Sequence, residues 1–257
     1  MVYLKTDEQI ELLRESNLLV SQTLAELAKV IRPGISTAFL DKVAEEYIRD
    51  NGALPAFKGY NGFPASICAS VNDQVVHGIP SEKMILKDGD IISIDCGTFK
   101  NGFVGDSAYT FCVGDVSQDV RDLLEVTKAS LYLGIGQAVE GKRIGDIGYA
   151  VQSYCESKGY SVVREMVGHG IGKKMHEAPE VPNYGRRGCG MMLRTGMVIC
   201  IEPMINQGKK GLVFERDGWT TRTVDGKCSA HFEHAVAIRK GKADILSDFS
   251  IIEENLK

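Results

Sequence analysis

A stretch of ten residues occurs twice in this chain, and this internal repeat is the feature that most constrains the fold. Residues 86–95 read LKDGDIISID and residues 193–202 read LRTGMVICIE. Both copies place a Leu, a cation and a Gly ahead of four strand-type residues that end in an acid. A His-Gly-Ile triplet precedes each copy, beginning at His77 and at His169. The repeat therefore predicts two related halves that each contribute a histidine and an acid to one shared centre.

The acids of the chain stand in unusually apolar surroundings. Asp95 and Glu202 each follow an almost unbroken apolar run, and Glu233 precedes another. Asp106 follows Asp95 across a turn at Lys100-Asn101-Gly102, so a hairpin would bring the two aspartates onto neighbouring strands. Burying a carboxylate is costly unless it is paired or binds a cation. Four converging carboxylates with few buried bases would repel one another, and divalent cations would neutralise them.

These acids and His169 form the expected ligand set of a metal centre. Taken singly, each residue is more often a turn, cap or loop residue than a ligand, but their order within repeated strands favours metal binding. Two divalent ions about 4 Å apart would share bridging carboxylates and activate a water near neutral pH. Such ligands admit Co, Mn, Fe, Ni or Zn, and the sequence does not determine which. The sequence thus predicts a two-metal hydrolase with five ligands: Asp95, Asp106, His169, Glu202 and Glu233.

Composition excludes several other classes of function. The 257 residues are 44% hydrophobic and 25% charged, with a formal net charge of −4, which suits a globular protein with a full core. Without concentrated positive charge we expect no direct nucleic-acid function and no membrane partner, and no apolar run reaches the ~18 residues of a bilayer span. The polar first residues predict no secretory leader. Seven cysteines without a Cys-x-x-Cys motif predict reduced thiols and a cytoplasmic location.

Helical patterns alternate with short strand patterns along the chain. Thr6 and Gln9 form a capping box at the start of the first helix, and Pro33-Gly34 follows its end. No segment resembles a flexible linker, so we predict one compact α+β domain over residues 1–257. The remaining predicted helices run from Ser36 or Thr37 to Asn51-Gly52, from Ser117 to about Glu140 and from about Gly145 to Lys158, and the clearest predicted strands are 91–96, 197–201 and 232–238.

The ordered motifs resemble those of the methionine aminopeptidases, in the short bacterial type I form, through nearly the whole chain. The resemblance implies the pita-bread fold, an α+β architecture of two pseudo-symmetric halves with an antiparallel sheet covered by helices. It also implies a dinuclear metal centre between the halves. The motifs that carry it are His77-Gly78-Ile79-Pro80, Asp95-Cys96-Gly97, Gly105-Asp106-Ser107, Gly168-His169-Gly170-Ile171-Gly172, His176-Glu177, Ile201-Glu202-Pro203-Met204 and Phe232-Glu233-His234.

The resemblance implies a role for each metal ligand. Asp95 would bind one ion through both oxygens, while Asp106 and Glu233 would bridge the two ions. His169 and Glu202 would complete the shell of the second ion. A bridging water or hydroxide would attack the carbonyl carbon of the first residue of the peptide, with Glu202 also shuttling a proton.

The implied activity is removal of the initiator methionine from nascent proteins and peptides with a small second residue. His77 and His176 match the non-ligand histidines of the family, which would contact the scissile amide and stabilise the tetrahedral intermediate. The resemblance further implies a monomer that contacts the ribosome transiently.

The methionine side chain of the substrate would need a narrow apolar slot, because it is an unbranched thioether that aromatic edges contact favourably. Trp219 is the only tryptophan and follows Asp217-Gly218 in a polar loop, which favours a pocket over the core. Phe57 is equally compatible with pocket and core. The expected pocket residues are Tyr60, Phe63, Cys68 and Trp219.

Three positions depart from the family pattern. His231 stands where Gln is common, Met175 replaces an aromatic before His176, and Val104 stands where His is expected. His231 is two residues before Glu233, so it would share a strand face with that ligand. None of the three changes removes a ligand, so they bear on substrate detail rather than on the reaction.

Three other functions have some support in the sequence. A proline dipeptidase or aminopeptidase P would share the fold, although those relatives usually carry an additional N-terminal domain. A non-catalytic module that binds partners would be expected to lose ligands that are all present here. The G-x-x-x-x-G-K match at residues 136–142 does not predict nucleotide binding, because it ends a helix and Arg143 replaces the required Ser or Thr.

Overall fold

Pairs of helices alternate with antiparallel strands along the chain. The computed structural model describes residues 2 to 256, so Met1 and Lys257 lie outside it. The helices are α1 (Asp7–Val30), α2 (Thr37–Asp50), α3 (Gln118–Ile135), α4 (Ile144–Ser157) and α5 (Phe249–Glu253). The strands are β1 (Leu54–Pro55), β2 (Ile67–Val71), β3 (Gln74–Val76), β4 (Ile91–Lys100), β5 (Phe103–Cys112), β6 (Ser161–Val162), β7 (Gly168–Gly170), β8 (Glu177–Val181), β9 (Val198–Ile201), β10 (Met204–Asn206), β11 (Leu212–Phe214), β12 (Thr221–Thr223), β13 (Ser229–His231), β14 (His234–Ala237) and β15 (Asp244–Ile245).

The helix starts follow the local capping signals of the sequence. The Gln9 N–H donates to Oγ1 of Thr6 at 3.3 Å, and the Thr6 N–H donates back to Gln9 Oε1 at 3.1 Å, so the predicted capping box is confirmed. Oγ of Ser36 accepts from the Phe39 N–H at the start of α2. The predicted end of α3 near Glu140 is wrong. This helix ends at Ile135 because the following amides form tight turn bonds beside glycine, a poor helix former.

The β4–β5 hairpin forms as predicted and determines where the two aspartates lie. Asn101 and Gly102 adopt φ of 53° and 82° in a two-residue turn that suits a tight hairpin. The register sets Asp95 opposite Ala108 and Asp106 opposite Gly97. Because alternate residues of a strand share a face, Asp95 and Asp106 point to the same side of the sheet. In this sheet, β1 and β2 pair with successive parts of one edge of β4, and β5 pairs with the other edge along its whole length.

The second copy of the repeat forms β9, in a sheet with the order β15-β14-β9-β7-β8. The β9–β14 register pairs Ile201 with His234, so Glu202 directly follows one strand and Glu233 directly precedes the other. The predicted strand 232–238 is therefore too long, since β14 covers only His234–Ala237. It starts late because the Glu233 N–H donates to the carbonyl of Ala108 at 2.9 Å instead of extending this sheet.

A seam of buried hydrogen bonds joins β5 of the first half to residues 231–233 of the second. Oγ of Ser107 donates to the Glu233 carbonyl at 2.6 Å. Oγ1 of Thr110 donates to the His231 carbonyl at 2.8 Å and accepts from the His231 N–H at 3.0 Å. The two halves therefore meet at the strand that carries Asp106.

Each half buries its strands under its own helices. Helices α1 and α2 pack with β2, β4 and β5, whereas α3 and α4 pack together beside β9, β10 and β13. This arrangement of antiparallel sheet and covering helices in two related halves confirms the predicted fold class. In the described part of the chain, no helix combines the length and the apolar character required to cross a membrane.

Gly105 marks the closest approach of β5 to α1, and substituting it tests this packing. A Cβ at this position would lie 2.5 Å from the carbonyl carbon of Ser16 and 2.6 Å from the nitrogen of Asn17, both in the helix backbone. We expect Gly105→Ala to lower the free energy of unfolding by about 1–3 kcal/mol in urea titrations, because the helix must shift. Gly136→Ala is the matched control, since its Cβ would meet nothing closer than 3.5 Å. Equal stability of the two variants would show that α1 does not pack this tightly.

Candidate metal centre and substrate cavity

Acidic and histidine side chains from both halves converge on one cavity of about 300 Å³. Asp95 and Asp106 come from the β4–β5 hairpin, His169 from β7, and Glu202 and Glu233 from the ends of β9 and β14. The structure brings together all eleven site residues expected from the sequence: the cavity is lined by Tyr60, Phe63, Cys68, His77, Asp95, Asp106, His169, His176, Glu202, Trp219 and Glu233.

His169 presents a free ring nitrogen to the acids. Its Nδ1 lies 2.9 Å from the carbonyl of Gly170, which only accepts, so the proton resides on Nδ1. Nε2 then keeps its lone pair and lies 3.7 Å from Oδ2 of Asp106 and 3.7 Å from Oε1 of Glu202. A neutral imidazole in this tautomer is the form that binds metal ions.

The carboxylates lack the partners that would normally compensate their burial. Oδ1 of Asp95, Oδ1 of Asp106 and Oε1 of Glu233 are buried without a hydrogen-bond partner among residues 2–256. Burial raises the pKa of Asp95 to about 7. Burial and neighbouring carboxylates raise the pKa values of Asp106, Glu202 and Glu233 well above the ordinary range. Unpartnered carboxylate oxygens around a neutral imidazole are a donor set that fits divalent metal ions.

Cys200 belongs to the same cluster, although the sequence motifs did not single it out. One ligand atom each of Asp106, His169, Cys200 and Glu233 lies within 4.8 Å of the others, and all four residues are buried. Burial and the Glu233 carboxylate raise the pKa of the Cys200 thiol well above its ordinary value. Carboxylate and imidazole donors suit the divalent ions named above, whereas thiolates select softer metals. The place of Cys200 two residues before Glu202, on the same strand face, was the available signal.

Two further histidines face the cavity beside the acids. His77 adopts a left-handed φ of 58°, and its ring lies 6.3 Å from that of Trp219. Nδ1 of His176 lies 2.7 Å from the Tyr60 hydroxyl, and its ring is 4.3 Å from that of His169. Burial and the nearby His176 lower the pKa of His77 to about 4, and burial lowers that of His176. Both rings are therefore neutral near pH 7 and able to donate an N–H.

The sequences of known proteins similar to this chain are those of metallopeptidases, as expected from the cluster of potential metal ligands. The sequence profile of metallopeptidase family M24 matches residues 11–240. The chain belongs to metallopeptidase family M24. It is 51% identical over 247 residues to methionine aminopeptidase 1 of Bacillus subtilis, covering 96% of this chain and 99% of that protein. The resemblance seen in the motifs is thus confirmed.

Solved structures agree with the fold of this M24 chain. The crystal structure of methionine aminopeptidase from Thermotoga maritima has a TM-score of 0.95 and 40% identity, covering 96% of this chain and 100% of the other. Prolidase from Pyrococcus furiosus has a TM-score of 0.76 at 22% identity, and the match covers 95% of this chain but 65% of that one. The prolidase likeness shows the shared pita-bread fold alone.

Two buried asparagines fix the backbone of the M24 site, and the sequence interpretation missed both. Oδ1 of Asn17 in α1 accepts from the Asp106 N–H at 3.1 Å, while its Nδ2 donates to the carbonyl of Leu13. Nδ2 of Asn183 donates to the carbonyl of Glu202 at 2.9 Å. The signal for Asn17 was an amide on the apolar face of a helix, which requires a buried partner.

An aromatic wall closes one side of the cavity. The rings of Phe63 and Trp219 meet edge to face with centroids 5.1 Å apart. Cys68 of β2 packs in the same cluster as Phe63 and Trp219 and lies directly opposite Asp95 of β4, so the wall adjoins the acids. Phe57, for which pocket and core were equally expected, lines the cavity and also packs in the core. The cavity residues that the sequence did not single out are Asn61, Val76, Met166, Val167 and Met204.

The three departures from the family pattern occupy different places. Met175 lines the cavity. His231 is buried, with Nε2 3.7 Å from Oε2 of Glu202, so it lies behind that acid. Val104 is buried in the core, where its N–H donates to the carbonyl of Gly172 at 2.9 Å.

Removal of metal ions should destabilise this protein more at high pH than at low pH. Asp95 changes from an ordinary pKa of 3.8 to about 7 on folding. A raised carboxyl pKa contributes stability that is fully present below the unfolded-state pKa and lost as pH rises through the folded-state value. Bound cations would offset that loss. We expect the chelator-induced drop in Tm to grow between about pH 5.5 and about pH 8, reaching roughly 5–10 °C.

Scanning calorimetry with and without chelator measures this difference. Asp106→Asn is the matched comparison, because it removes one charge of the cluster while keeping its shape. Its chelator effect should be smaller at each pH. A chelator effect that is constant with pH in the unsubstituted protein would contradict the electrostatic account.

Proposed function

We propose that this chain removes N-terminal methionine from nascent proteins and peptides whose second residue is small. The observation that carries the proposal is the junction, within one cavity, of an acid and histidine cluster with an aromatic wall. Cys68 and Asp95 are directly opposed on adjacent strands, so a side chain held at the wall would set its own carbonyl beside the acids. The family and the curated relatives support the same reaction.

Two divalent ions would be held by Asp95, Asp106, His169, Glu202 and Glu233. Four carboxylate charges are balanced by two dications, which supports two ions rather than one. When bound, such ions supply Lewis-acid polarisation of the peptide carbonyl and lower the pKa of a water. Their identity among Co, Mn, Fe, Ni and Zn follows from availability rather than from these ligands.

The protein groups themselves would bind the amide and move the proton. The neutral rings of His77 and His176 would donate N–H bonds to the oxygen of the scissile amide as negative charge develops there. A carboxyl oxygen of Glu202 would accept a proton and return it to the leaving amine, because a carboxylate within hydrogen-bond reach of the reacting atoms can transfer a proton in both directions. The Glu202 side chain is 14% exposed, against 5% for Asp106, which leaves it within reach of a substrate.

Selectivity for methionine would come from Tyr60, Phe63, Cys68 and Trp219. The edge-to-face pair of Phe63 and Trp219 offers ring edges to a thioether sulfur. An unbranched side chain fits a slot between flat rings, whereas a β-branched one would meet the wall near its Cα.

We further propose that both halves act as a single catalytic domain, because the acids come from each. All seven cysteines are unpaired, which supports work in the reducing cytoplasm on nascent chains. We expect a monomer that binds the ribosome transiently, which suits action on nascent chains.

Protein loaded with a divalent metal should release methionine from Met-Ala-Ser and leave Ala-Pro peptides intact. The likeness to prolidase shows the fold alone, so it does not decide between methionine aminopeptidase and proline dipeptidase activity. The preferred peptide separates these two activities. Chromatographic detection of free methionine measures the rate, and Met-Leu-Ser tests the requirement for a small second residue. Faster hydrolysis of Ala-Pro than of Met-Ala-Ser would overturn the proposal in favour of a proline dipeptidase. A chain that cleaves neither while binding metal would be a non-catalytic module.

His176 should matter more than the tyrosine that orients it. We expect His176→Ala to lower kcat for Met-Ala-Ser on the order of 100- to 1000-fold, the effect of losing a donor to the developing oxyanion. Tyr60→Phe should lower kcat by about 10-fold or less, because it removes one neutral hydrogen bond to that ring. Tyr47→Phe in α2, outside the cavity, is the control and should keep full activity. A larger loss in Tyr60→Phe than in His176→Ala would reverse this order of roles.

A further inference from the structure

Lys5 and Glu177 form a buried ion pair behind the hairpin that carries the active-site histidines. Nζ of Lys5 lies 2.7 Å from Oε2 of Glu177, and the two side chains are only 7% and 9% exposed. Among residues 2–256, every other ion pair of a Lys or Arg with an acid has both side chains at least 21% exposed. This pair therefore differs from the surface pairs, which contribute little to the free energy of unfolding.

Glu177 ties together the loop between the two histidines of this hairpin. It directly follows His176, and its partner across the β7–β8 ladder is Gly170, next to His169. The second carboxylate oxygen of Glu177 accepts from the Lys174 N–H at 3.3 Å. One carboxylate thus joins the loop backbone to the strand on which it stands.

The loop wraps closely over this carboxylate. A Cβ on Gly172 would lie 2.5 Å from Oε1 of Glu177, so a larger residue here would displace the carboxylate. On its other side the loop is fixed to β5, because the Val104 N–H donates to the Gly172 carbonyl at 2.9 Å. The carboxylate of Glu177 and strand β5 therefore contact the loop that ends at His176 from two sides.

Lys5 reaches this carboxylate from a point that is fixed independently. Its backbone N–H donates to the carbonyl of Gly196 at 2.7 Å, and a Cβ on Gly196 would lie 2.9 Å from the Lys5 carbonyl oxygen. The segment ahead of α1 is thus held against the start of β9. From this anchored backbone, the Lys5 side chain extends to the Glu177 carboxylate beside the loop.

We propose that Lys5 is a positioning residue for His176 and acts through Glu177. The proposal rests on the proposed function, in which His176 contacts the scissile amide. Without the ammonium group, the buried carboxylate of Glu177 would be unpaired and would turn toward water. A second cavity of about 550 Å³, lined by Lys5, Glu177 and His176 among others, gives it room to turn. The loop would lose its anchor, and the ring of His176 would lose its alignment with the substrate.

Lys5→Met tests the pair, because it keeps the length of the side chain and removes the charge. We expect kcat for Met-Ala-Ser to fall on the order of 10- to 100-fold with little change in KM, as for a misplaced catalytic group. Lys5→Arg should restore most of the rate. Lys5→Met combined with Glu177→Gln, which leaves no unpaired buried charge, should be more active than Lys5→Met alone. Lys29→Met breaks an exposed pair with Glu26 in α1 and is the matched control with unchanged activity.

A double-mutant cycle separates positioning of His176 from a general loss of structure. In a His176→Ala background, Lys5→Met should have no further effect on kcat if it acts through that ring. An equal loss in both backgrounds, or full activity of Lys5→Met, would overturn the proposal. Should Lys5→Met fail to fold, Glu177→Gln takes its place in the same cycle with the same two outcomes.

Hydrogen–deuterium exchange gives a readout that does not depend on activity. Amides of residues 171–177 should exchange about 10-fold faster in Lys5→Met than in the unsubstituted protein, whereas those of β4 should not change. Unchanged protection of the loop would refute the anchoring role even if kcat fell. If the unsubstituted protein released no methionine, the proposed function would fail while this measurement still tested the ion pair.

Discussion

Repulsion among four buried carboxylates is the constraint on which the rest of this structure depends. Asp95, Asp106, Glu202 and Glu233 approach one another where little solvent reaches them, so their pKa values rise and the charged cluster is unfavourable by itself. A flexible scaffold would relax by moving the acids apart. Instead, each acid stands on or directly beside a strand, and each half of the fold supplies two of them.

The scaffold resists that relaxation by fixing the backbone at three of the four acids. Asn17 holds the N–H of Asp106, Asn183 holds the carbonyl of Glu202, and Ser107 holds the carbonyl of Glu233. The first and third contacts are buried and the second is partly buried, so water competes little for them and their loss would leave unsatisfied polar groups. The acids are thus held in place by neutral hydrogen bonds that the protonation or metal state of the side chains does not alter.

The histidines that would face the substrate are held in a different way. His77 depends on a left-handed backbone, and exposed His176 depends on the Tyr60 hydroxyl and on the loop fixed by Glu177. A rigid metal site therefore adjoins a loop whose order comes from side-chain contacts. If Lys5 anchors that loop as we propose, the segment ahead of α1 takes part in the chemistry without reaching the cavity.

Features with local causes were readable from the sequence. The capping box at Thr6 and the tight turn at Asn101-Gly102 involve neighbouring residues, and the turn alone sets the register that puts Asp95 and Asp106 on one face. The internal repeat predicted two halves, because the same strand pattern recurs with the same acid at its end. The resemblance to a known family supplied the roles of individual residues.

Only the tertiary structure decided which distant groups support the site. Cys200 lies beside Glu233, Asn17 beneath Asp106, and Lys5 pairs with a residue 172 positions away, and no local pattern in the chain identifies these partners. The short β14 has the same origin, since it starts only after Glu233, whose backbone N–H bonds to the other half instead of extending the sheet. The sequence by itself determined which acids must be buried, because apolar runs surround them. The fold decided their partners, because burial requires that every polar group be satisfied by whatever the packing brings near.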